Sequence, residues 1–327
     1  MRDLQRRLGA AGFPPATGAE AGCFCASTQA AVLAFQTARG LRGDGVCDEN
    51  TWTALVEASW KFGDRSLFLT SPNLRGDDVA ELQSRLARLG FDCGRVDGIL
   101  GPRTAKALED FQSNCGVTAD AVCGGETVKA IVRVSGQTGT GPGVATVRER
   151  ERLRRGLGSL ANCKVVLGQF GGLSALTRSL ARELRHRGAT VMPLDEPDAV
   201  AQAIAANHFG ADVYLGFESH AEATCVAHFY QVPSFESVGG RTLAELLAHE
   251  LAGELCEAFG DASSAGAAAG VRGPVPSVQG MRLPVLRETR MPAVVLAVGP
   301  VRVATDASPQ LAAAVLRALE LWILRAG

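Results

Sequence analysis

The chain has 327 residues, 46% hydrophobic and 20% charged, a composition that buries real cores and a length that accommodates two or three domains. Its formal net charge of -1 provides no overall electrostatic drive toward nucleic acid, and nucleic acid is not an expected partner. No stretch approaches the roughly 20 apolar residues that cross a bilayer, and Met1-Arg2-Asp3-Leu4-Gln5-Arg6-Arg7 has no apolar secretion-signal run behind its charges.

The expectation is therefore a cytoplasmic chain, associated with a membrane only through a partner. The nine cysteines are odd in number and scattered through a chain large enough to fold without staples, which fits free thiols. Cys23-Phe24-Cys25 has no second pair at zinc-ribbon spacing, so small buried or loop cysteines are a better reading than metal ligands.

The front of the chain repeats. Leu4-Gln5 and Gly12-Phe13 recur 78 residues later as Leu82-Gln83 and Gly90-Phe91. Thr28, Phe35-Gln36, Gly40, Cys47 and Thr51 recur 76 residues later as Thr104, Phe111-Gln112, Gly116, Cys123 and Thr127, so one loop differs by two residues. Each copy reads as a small all-α unit of three helices. In the second copy Val79, Leu82, Leu86 and Leu89 share one helical face that Gly90 ends. Pro102 opens a second helix with Ala105, Leu108 and Phe111 on one side, and a short third helix runs from Glu126 to Val132. Val96-Asp97-Gly98 and Asp120-Ala121-Val122-Cys123-Gly124 supply the turns. The modules are placed at 1–58 and 75–134, with a connector at 59–74.

Leu-Gln, Gly-Phe, Asp97-Gly98-Ile99-Leu100-Gly101-Pro102-Arg103-Thr104, Phe-Gln and a final Gly-rich turn before Glu126-Thr127 together resemble the peptidoglycan-binding domain 1 family. In the first copy Ala21-Gly22-Cys23-Phe24-Cys25 stands where the second has Asp97 to Gly101. The resemblance implies that glycan or stem peptide binds near this loop and the start of the second helix, with Asp97, Arg103 and Thr104 as exposed ligand candidates. Most repeated residues are core and turn positions that any three-helix module keeps. Ligand binding and a scaffold role therefore both stay open.

A linker is placed at 135–162. Ser135-Gly-Gln-Thr-Gly-Thr-Gly-Pro-Gly143 has too little apolar surface to fold alone, and Val147 to Arg155, dense in Arg and Glu, reads as a solvated helix. From 163 to 327 strands and helices alternate. Strands are read at Lys164–Leu167, Ala189–Leu194, Val213–Phe217, Cys225–Val232 and Met291–Gly299, and helices at Leu173–Arg187, Pro197–His208, Val238–Phe259 and Pro309–Arg325. The fold class is thus multidomain, with two small all-α modules ahead of an α/β domain whose sheet is mostly parallel or mixed.

Three anchors in this last region, Val165-Val166-Leu167-Gly168-Gln169-Phe170-Gly171-Gly172, Glu218-Ser219-His220-Ala221-Glu222 and Leu286 to Gly299, resemble the zinc-dependent N-acetylmuramoyl-L-alanine amidase family of type 3. Zinc hydrolysis needs about three protein ligands, an open position for water and a carboxylate that moves the proton. In the family these are His, Glu and His, with a Glu on the last core strand. By this resemblance the first histidine falls on Gln169, a poor zinc ligand, and neither Gly168 nor Phe170 replaces it. The loop carrying the Glu ligand is deleted, His220 alone is retained, and Ala297 stands at the shuttle position. No intact catalytic set and no metal are expected, and zinc is the cofactor only if the chain is an active amidase. Glu218, Glu222 and His228 neighbour His220 in sequence and could improvise a site; as ligand-binding candidates Glu218 and Glu222 compete with a reading as surface carboxylates. His186, His208 and His249 read as ordinary helical positions.

The whole arrangement resembles the cytoplasmic amidase homologues of actinobacteria. That implies a regulator of peptidoglycan precursor synthesis whose partners are a peptidoglycan fragment or precursor, the enolpyruvyl transferase or a lipid II flippase. Such homologues can carry a phosphorylatable tail, which is not expected after Leu321-Trp322-Ile323-Leu324-Arg325-Ala326-Gly327. The alternatives are a divergent amidase cleaving the MurNAc-L-alanine amide, and a wall-binding protein exported from a start upstream of Met1.

Overall fold

The computed structural model describes residues 1–16, 21–135, 144, 146–147, 149, 151, 158–233, 235–262 and 274–325. The Gly-rich linker and most of the Arg/Glu-rich segment after it lie outside the described residues. The chain divides into two compact units, Met1–Arg148 with Val232–Phe235, and Glu149–Gln231 with Glu236–Gly327.

The first unit carries the two modules. Helices α1 (Arg2–Ala10), α2 (Ala26–Ala38) and α3 (Glu49–Ala58) form one, and α4 (Asp77–Arg88), α5 (Pro102–Cys115) and α6 (Gly125–Ser135) the other. Leucines at helical spacing supply each core. Leu4, Leu8, Val32, Phe35 and Leu55 meet in the first, and Val79, Leu82, Leu86, Leu108, Phe111 and Ile131 in the second. Phe13 packs edge-on against Phe35, and Phe91 against Phe111, with ring centroids 5.6 Å apart in both. Pro102 opens α5, and Gly116 closes it at φ 67, a left-handed conformation that glycine adopts without strain.

A finer repeat lies inside the modules. A turn folded back on a helix leaves backbone N–H and C=O groups that need partners. A glutamine supplies them four times. Gln83 Nε2 donates to Asp97 Oδ1 (2.9 Å), the Ile99 carbonyl (3.0 Å) and Thr104 Oγ1 (3.1 Å), while its Oε1 accepts from the Gly98 N–H at 2.8 Å. Gln112 does the same for Asp120, Val122, Thr127 and Ala121, and Gln36 for Asp44, Val46, Thr51 and Gly45. Gln5 reaches the Cys23 carbonyl, Thr28 and the Gly22 N–H, with no aspartate in its turn. The Val46 and Val122 N–H groups, and next the Gln36 and Gln112 carboxamides, hold Asp44 and Asp120 below the usual carboxylate range.

The stretch read as a connector packs into the second module. Leu67 is 1% exposed within that core and bridges Cys123 antiparallel, as Arg75 bridges Ile99. Arg65 grips the buried Asp78 through Nε (2.7 Å) and Nη2 (3.1 Å) and lies over Trp60. Between the modules, Arg39 Nη2 meets Asp77 at 2.6 Å.

The second unit is an α/β domain built on a seven-stranded sheet. In chain order come β1 (Lys164–Phe170), α7 (Ser174–His186), β2 (Thr190–Leu194), α8 (Ala199–Phe209), β3 (Val213–Ser219), β4 (Thr224–Val232), β5 (Phe235–Glu236), α9 (Val238–Ala262), β6 (Ser277–Met281), α10 (Pro284–Glu288), β7 (Ala293–Gly299), α11 (Val301–Asp306) and α12 (Ser308–Arg325). Strand order is β2-β1-β3-β7-β4-β5, with β6 also on β4. The first four strands run parallel, β4 is antiparallel to β7 and β6 is parallel to β4. The sheet is therefore mixed. On one face Val165, Leu167, Leu215, Phe217 and Leu296 pack against Leu176 and Leu180 of α7, Leu247 of α9 and Leu319 of α12. On the other, Tyr214 donates its hydroxyl to Gln202 of α8 at 2.6 Å. A Cβ at Gly168 would strike both of those groups, so the strand can hold only glycine there. The short elements β5, β6, α10 and α11 are too brief to show a period in the sequence.

Substituting Gln112→Leu is expected to cost the chain about 2–3 kcal/mol, because the turn's backbone groups lose their partner inside the fold; urea unfolding of the full chain measures it. Asp120, its pKa lowered in the fold, stabilises above its ordinary value of 3.8, and that contribution is lost as pH falls through the lowered folded value. Asp120→Asn should flatten the acid limb of the stability profile.

Candidate functional site

In parallel α/β sheets, chemistry collects at the carboxyl ends of the strands, and here β1, β3 and β7 end side by side. Register decides which side chains share a face. Phe170 pairs with Glu218 and Glu218 with Ala297, so these three stand in one row on the face that also bears Tyr214. Gln169 pairs with Phe217, and Phe217 with Leu296, which puts Gln169 on the opposite face by the two-residue alternation of strands. The residues matched to the first ligand and to the shuttle thus project from opposite sides of the sheet. Phe170 is the β1 residue that shares the Ala297 row, an alternation visible only once the register is known.

Gln169 is committed elsewhere. Its Oε1 accepts the Leu173 N–H at 2.9 Å, and its Nε2 donates to Asp195 just past β2. The carboxamide closes the Gly171-Gly172 turn so that α7 begins at Ser174, four residues past the last residue of β1, and no room for a further loop remains. The sequence carries no signal for Asp195, whose partner lies 26 residues away.

His220 extends the ladder, its N–H donating to the Val298 carbonyl at 2.9 Å. Its Nε2 lies 3.8 Å from Glu218 Oε1, with the His220 side chain 38% and the Glu218 side chain 13% exposed. Glu222 is exposed, and its carbonyl folds back over the end of β7, where any Cβ at Gly299 would collide with it and with the His220 carbonyl at 2.7 Å. The structure therefore brings Glu218, His220 and Ala297 to one edge, with Glu222 in the loop beside them. Ala297 is 1% exposed. Among the described residues, no group of three or more His, Cys, Asp or Glu side chains is placed to hold a metal ion. Of the described side chains at this edge, Glu218 and His220 have zinc-ligating chemistry and Gln169 is a carboxamide engaged with Leu173 and Asp195, whereas a zinc site draws on about three protein ligands.

In the second module the expected ligand candidates divide. Thr104 is a correction: it is 1% exposed, its hydroxyl taken by Gln83. Its place near a helix start implies exposure in the sequence, but the glutamine draws it inward. Asp97 is half-buried in the same latch, accepting from Gln83 and from the Ile99 N–H. Arg103 is exposed.

Residues 1–55 and 75–131 match the family model described as "Putative peptidoglycan binding domain". Over 260 residues, 70% of this chain and 64% of the relative, the chain is 33% identical to the N-acetylmuramoyl-L-alanine amidase CwlM of Mycobacterium tuberculosis. It is 33% identical over 148 residues, 39% of this chain and 41% of the relative, to the amidase CwlL of Bacillus licheniformis. The chain thus spans less than two thirds of the length of these relatives. Among solved structures, the N-acetylmuramyl-L-alanine amidase Ami1 of Mycobacterium smegmatis aligns with 50% of this chain and 98% of its own at 12% identity and a TM-score of 0.38. The chain is similar, over most of its length, to the CwlM amidase, and its two front segments are of peptidoglycan-binding type.

Ala297→Glu would seat a carboxylate beside Glu218 on the buried row. The expected loss is about 3–5 kcal/mol at pH 7. Repulsion raises the folded pKa of the pair, so the loss should shrink as pH falls toward 5 and a proton is taken up. Ala297→Gln should lack this pH dependence; urea unfolding at the two pH values compares them.

Proposed function

We propose that this chain is a peptidoglycan-related binding and regulatory protein whose amidase-like domain does not hydrolyse. The observation that carries the reading is the row Phe170, Glu218, Ala297 at the strand ends. A phenyl ring and a methyl group flank the one carboxylate, and neither can ligate a metal or move a proton. In this reading the ligand is a peptidoglycan fragment or precursor, and the chain acts in the cytoplasm. It acts on precursor synthesis through an enzyme such as the enolpyruvyl transferase, or through a lipid II flippase. Arg103, beside the turn that Gln83 organises, and Glu218, Glu222 and His220 are the side chains that would meet such ligands.

A second reading, hydrolysis of the MurNAc-L-alanine amide, draws on the 33% identity to a protein named as an amidase and on the His220–Glu218 pair. The two readings part in one experiment on the full chain. Incubated with zinc and a purified muropeptide, it should bind the muropeptide, release no stem peptide and carry well under one zinc per chain. Stoichiometric zinc together with stem-peptide release that His220→Ala abolishes would establish the second reading instead.

A further inference from the structure

The helix layer of the α/β domain carries a groove that the strand-end row does not involve. Leu180 and Leu184 of α7 and Leu311 and Val315 of α12 are buried in one core. At the surface, an open groove of about 680 Å³ runs between α7 on one side and α11 with the start of α12 on the other. Arg178, Ser179 and Arg182 line the first wall, and Thr305, Asp306 and Ser308 the second. The volume falls in the range of roughly 300–1,000 Å³ that small-molecule sites occupy.

The two walls offer opposite chemistry. Arg178 and Arg182 are exposed and stand four residues apart, so they rise from one face of α7 with their roots roughly 5–6 Å apart. Further along this helix, Arg185 Nη2 donates to the Val191 carbonyl at 3.1 Å and Arg187 pairs with Glu320. The groove arginines have no such tie across the fold. Arg182 Nε reaches its chain neighbour Glu183 at 3.5 Å, and among the described residues the Arg178 side chain has no ion-pair or hydrogen-bond partner. On the other wall the Thr305 hydroxyl donates to the Val301 carbonyl at 2.8 Å and the Ser308 hydroxyl to the Ala304 carbonyl at 3.0 Å. Both protons are spent inside the helices, so these oxygens present only lone pairs. Asp306 adds an exposed carboxylate that likewise has no ion-pair partner among the described residues. One wall donates and is positive; the other accepts and is negative.

We propose that this groove binds a small zwitterionic ligand, whose oxyanion spans Arg178 and Arg182 and whose ammonium group reaches Asp306 and the Thr305 hydroxyl oxygen. A guanidinium fork matches the oxygens of a carboxylate or phosphate. A purely anionic ligand would set its charge against Asp306, and an apolar one would strip water from all three charged groups without replacing it. The same pair of charges comes from two sources, the carboxylate and amine of a short peptide or the phosphate and amine of an aminoalkyl phosphate headgroup. The groove lies on the sheet face that α7 covers, whereas Phe170, Glu218 and Ala297 stand on the face bearing Tyr214. Binding here is therefore independent of what the row does.

The test is a titration of the isotope-labelled full chain with two probes, the dipeptide alanyl-glutamate and O-phosphoethanolamine, followed by NMR through the amide signals of α7 and α11. Saturable shifts with a Kd on the order of 1 mM are expected for at least one probe, and the tighter probe identifies the source of the oxyanion. N-acetylation of that probe, or Asp306→Asn in the chain, should weaken binding about two- to fivefold, and Arg178→Gln or Arg182→Gln by a similar factor. The double variant Arg178→Gln with Arg182→Gln should abolish saturation. All three side chains are exposed, so these variants keep the fold. Three results would overturn the proposal: no saturable shift with either probe below about 20 mM, an acetylated probe that binds as tightly as the free amine, or saturation that survives in the double variant. None of them alters the zinc and stem-peptide measurements, so the groove and the proposed function fail separately.

Discussion

A buried carboxamide facing a turn underlies both halves of this chain. Gln36, Gln83 and Gln112 are at most 1% exposed, and each satisfies a turn's N–H and C=O groups at once. The α/β domain uses the same device. Gln169 closes the turn into α7, and Gln202 takes the Tyr214 hydroxyl while donating to the Gln169 and Glu196 carbonyls. A glutamine suits these places because one neutral group both donates and accepts. A carboxylate could only accept, and would bring a charge that burial opposes. Burial likewise pushes the Tyr214 hydroxyl well above its ordinary pKa, so it stays a donor. Small modules without a sheet have few other ways to satisfy a folded-back turn, which is why the Leu-Gln and Phe-Gln pairs recur.

The same device shapes the strand edge. Because Gln169 spends both ends of its side chain on Leu173 and Asp195, the chain passes from β1 to α7 through the short Gly171-Gly172 turn alone. What lies on the other face of the edge is then set by register: Phe170, Glu218 and Ala297. The backbone of this row is part of the β1–β3–β7 ladder, and further contacts beside it fix the edge. Gly299 accommodates the carbonyls of His220 and Glu222, and the His220 N–H continues the ladder to Val298. The architecture of the edge therefore persists whatever chemistry the row supports.

Much of this was legible in the sequence where a period or a punctuation residue spoke. The leucine spacing, Pro102, Gly116 and the apolar run at Ala293–Gly299 located helices and the central strand within a few residues. Partnerships across space were not legible. Thr104 reads as a polar residue in a helix's first turn, and only Gln83, 21 positions away, shows why it turns inward. Gln169 stands next to Phe170 in the chain, and sequence alone does not say which of them faces Ala297. That follows from pairing to β3 and β7, a long-range fact. Residues 59–74 read as a connector because Gly63, Ser71 and Pro72 interrupt any helical period, yet their apolar members Phe62, Leu67 and Leu74 complete a core.

That last point bears on how two such small modules hold together. A unit of some 55–60 residues buries too little apolar surface to be more than marginally stable. The second module gains Leu67 and its neighbours, the Cys123 bridge and the buried Arg65–Asp78 pair. The first has fewer buried side chains, and its supplement is Trp52 covered by Arg7, with Arg39 reaching Asp77 at the start of α4. Asp77 and Asp78 are adjacent and serve opposite directions. Asp78 ties residues 60–76 to their own module, and Asp77 ties that module to its neighbour. One turn of α4 thus serves both the core that Leu67 completes and the contact with α2.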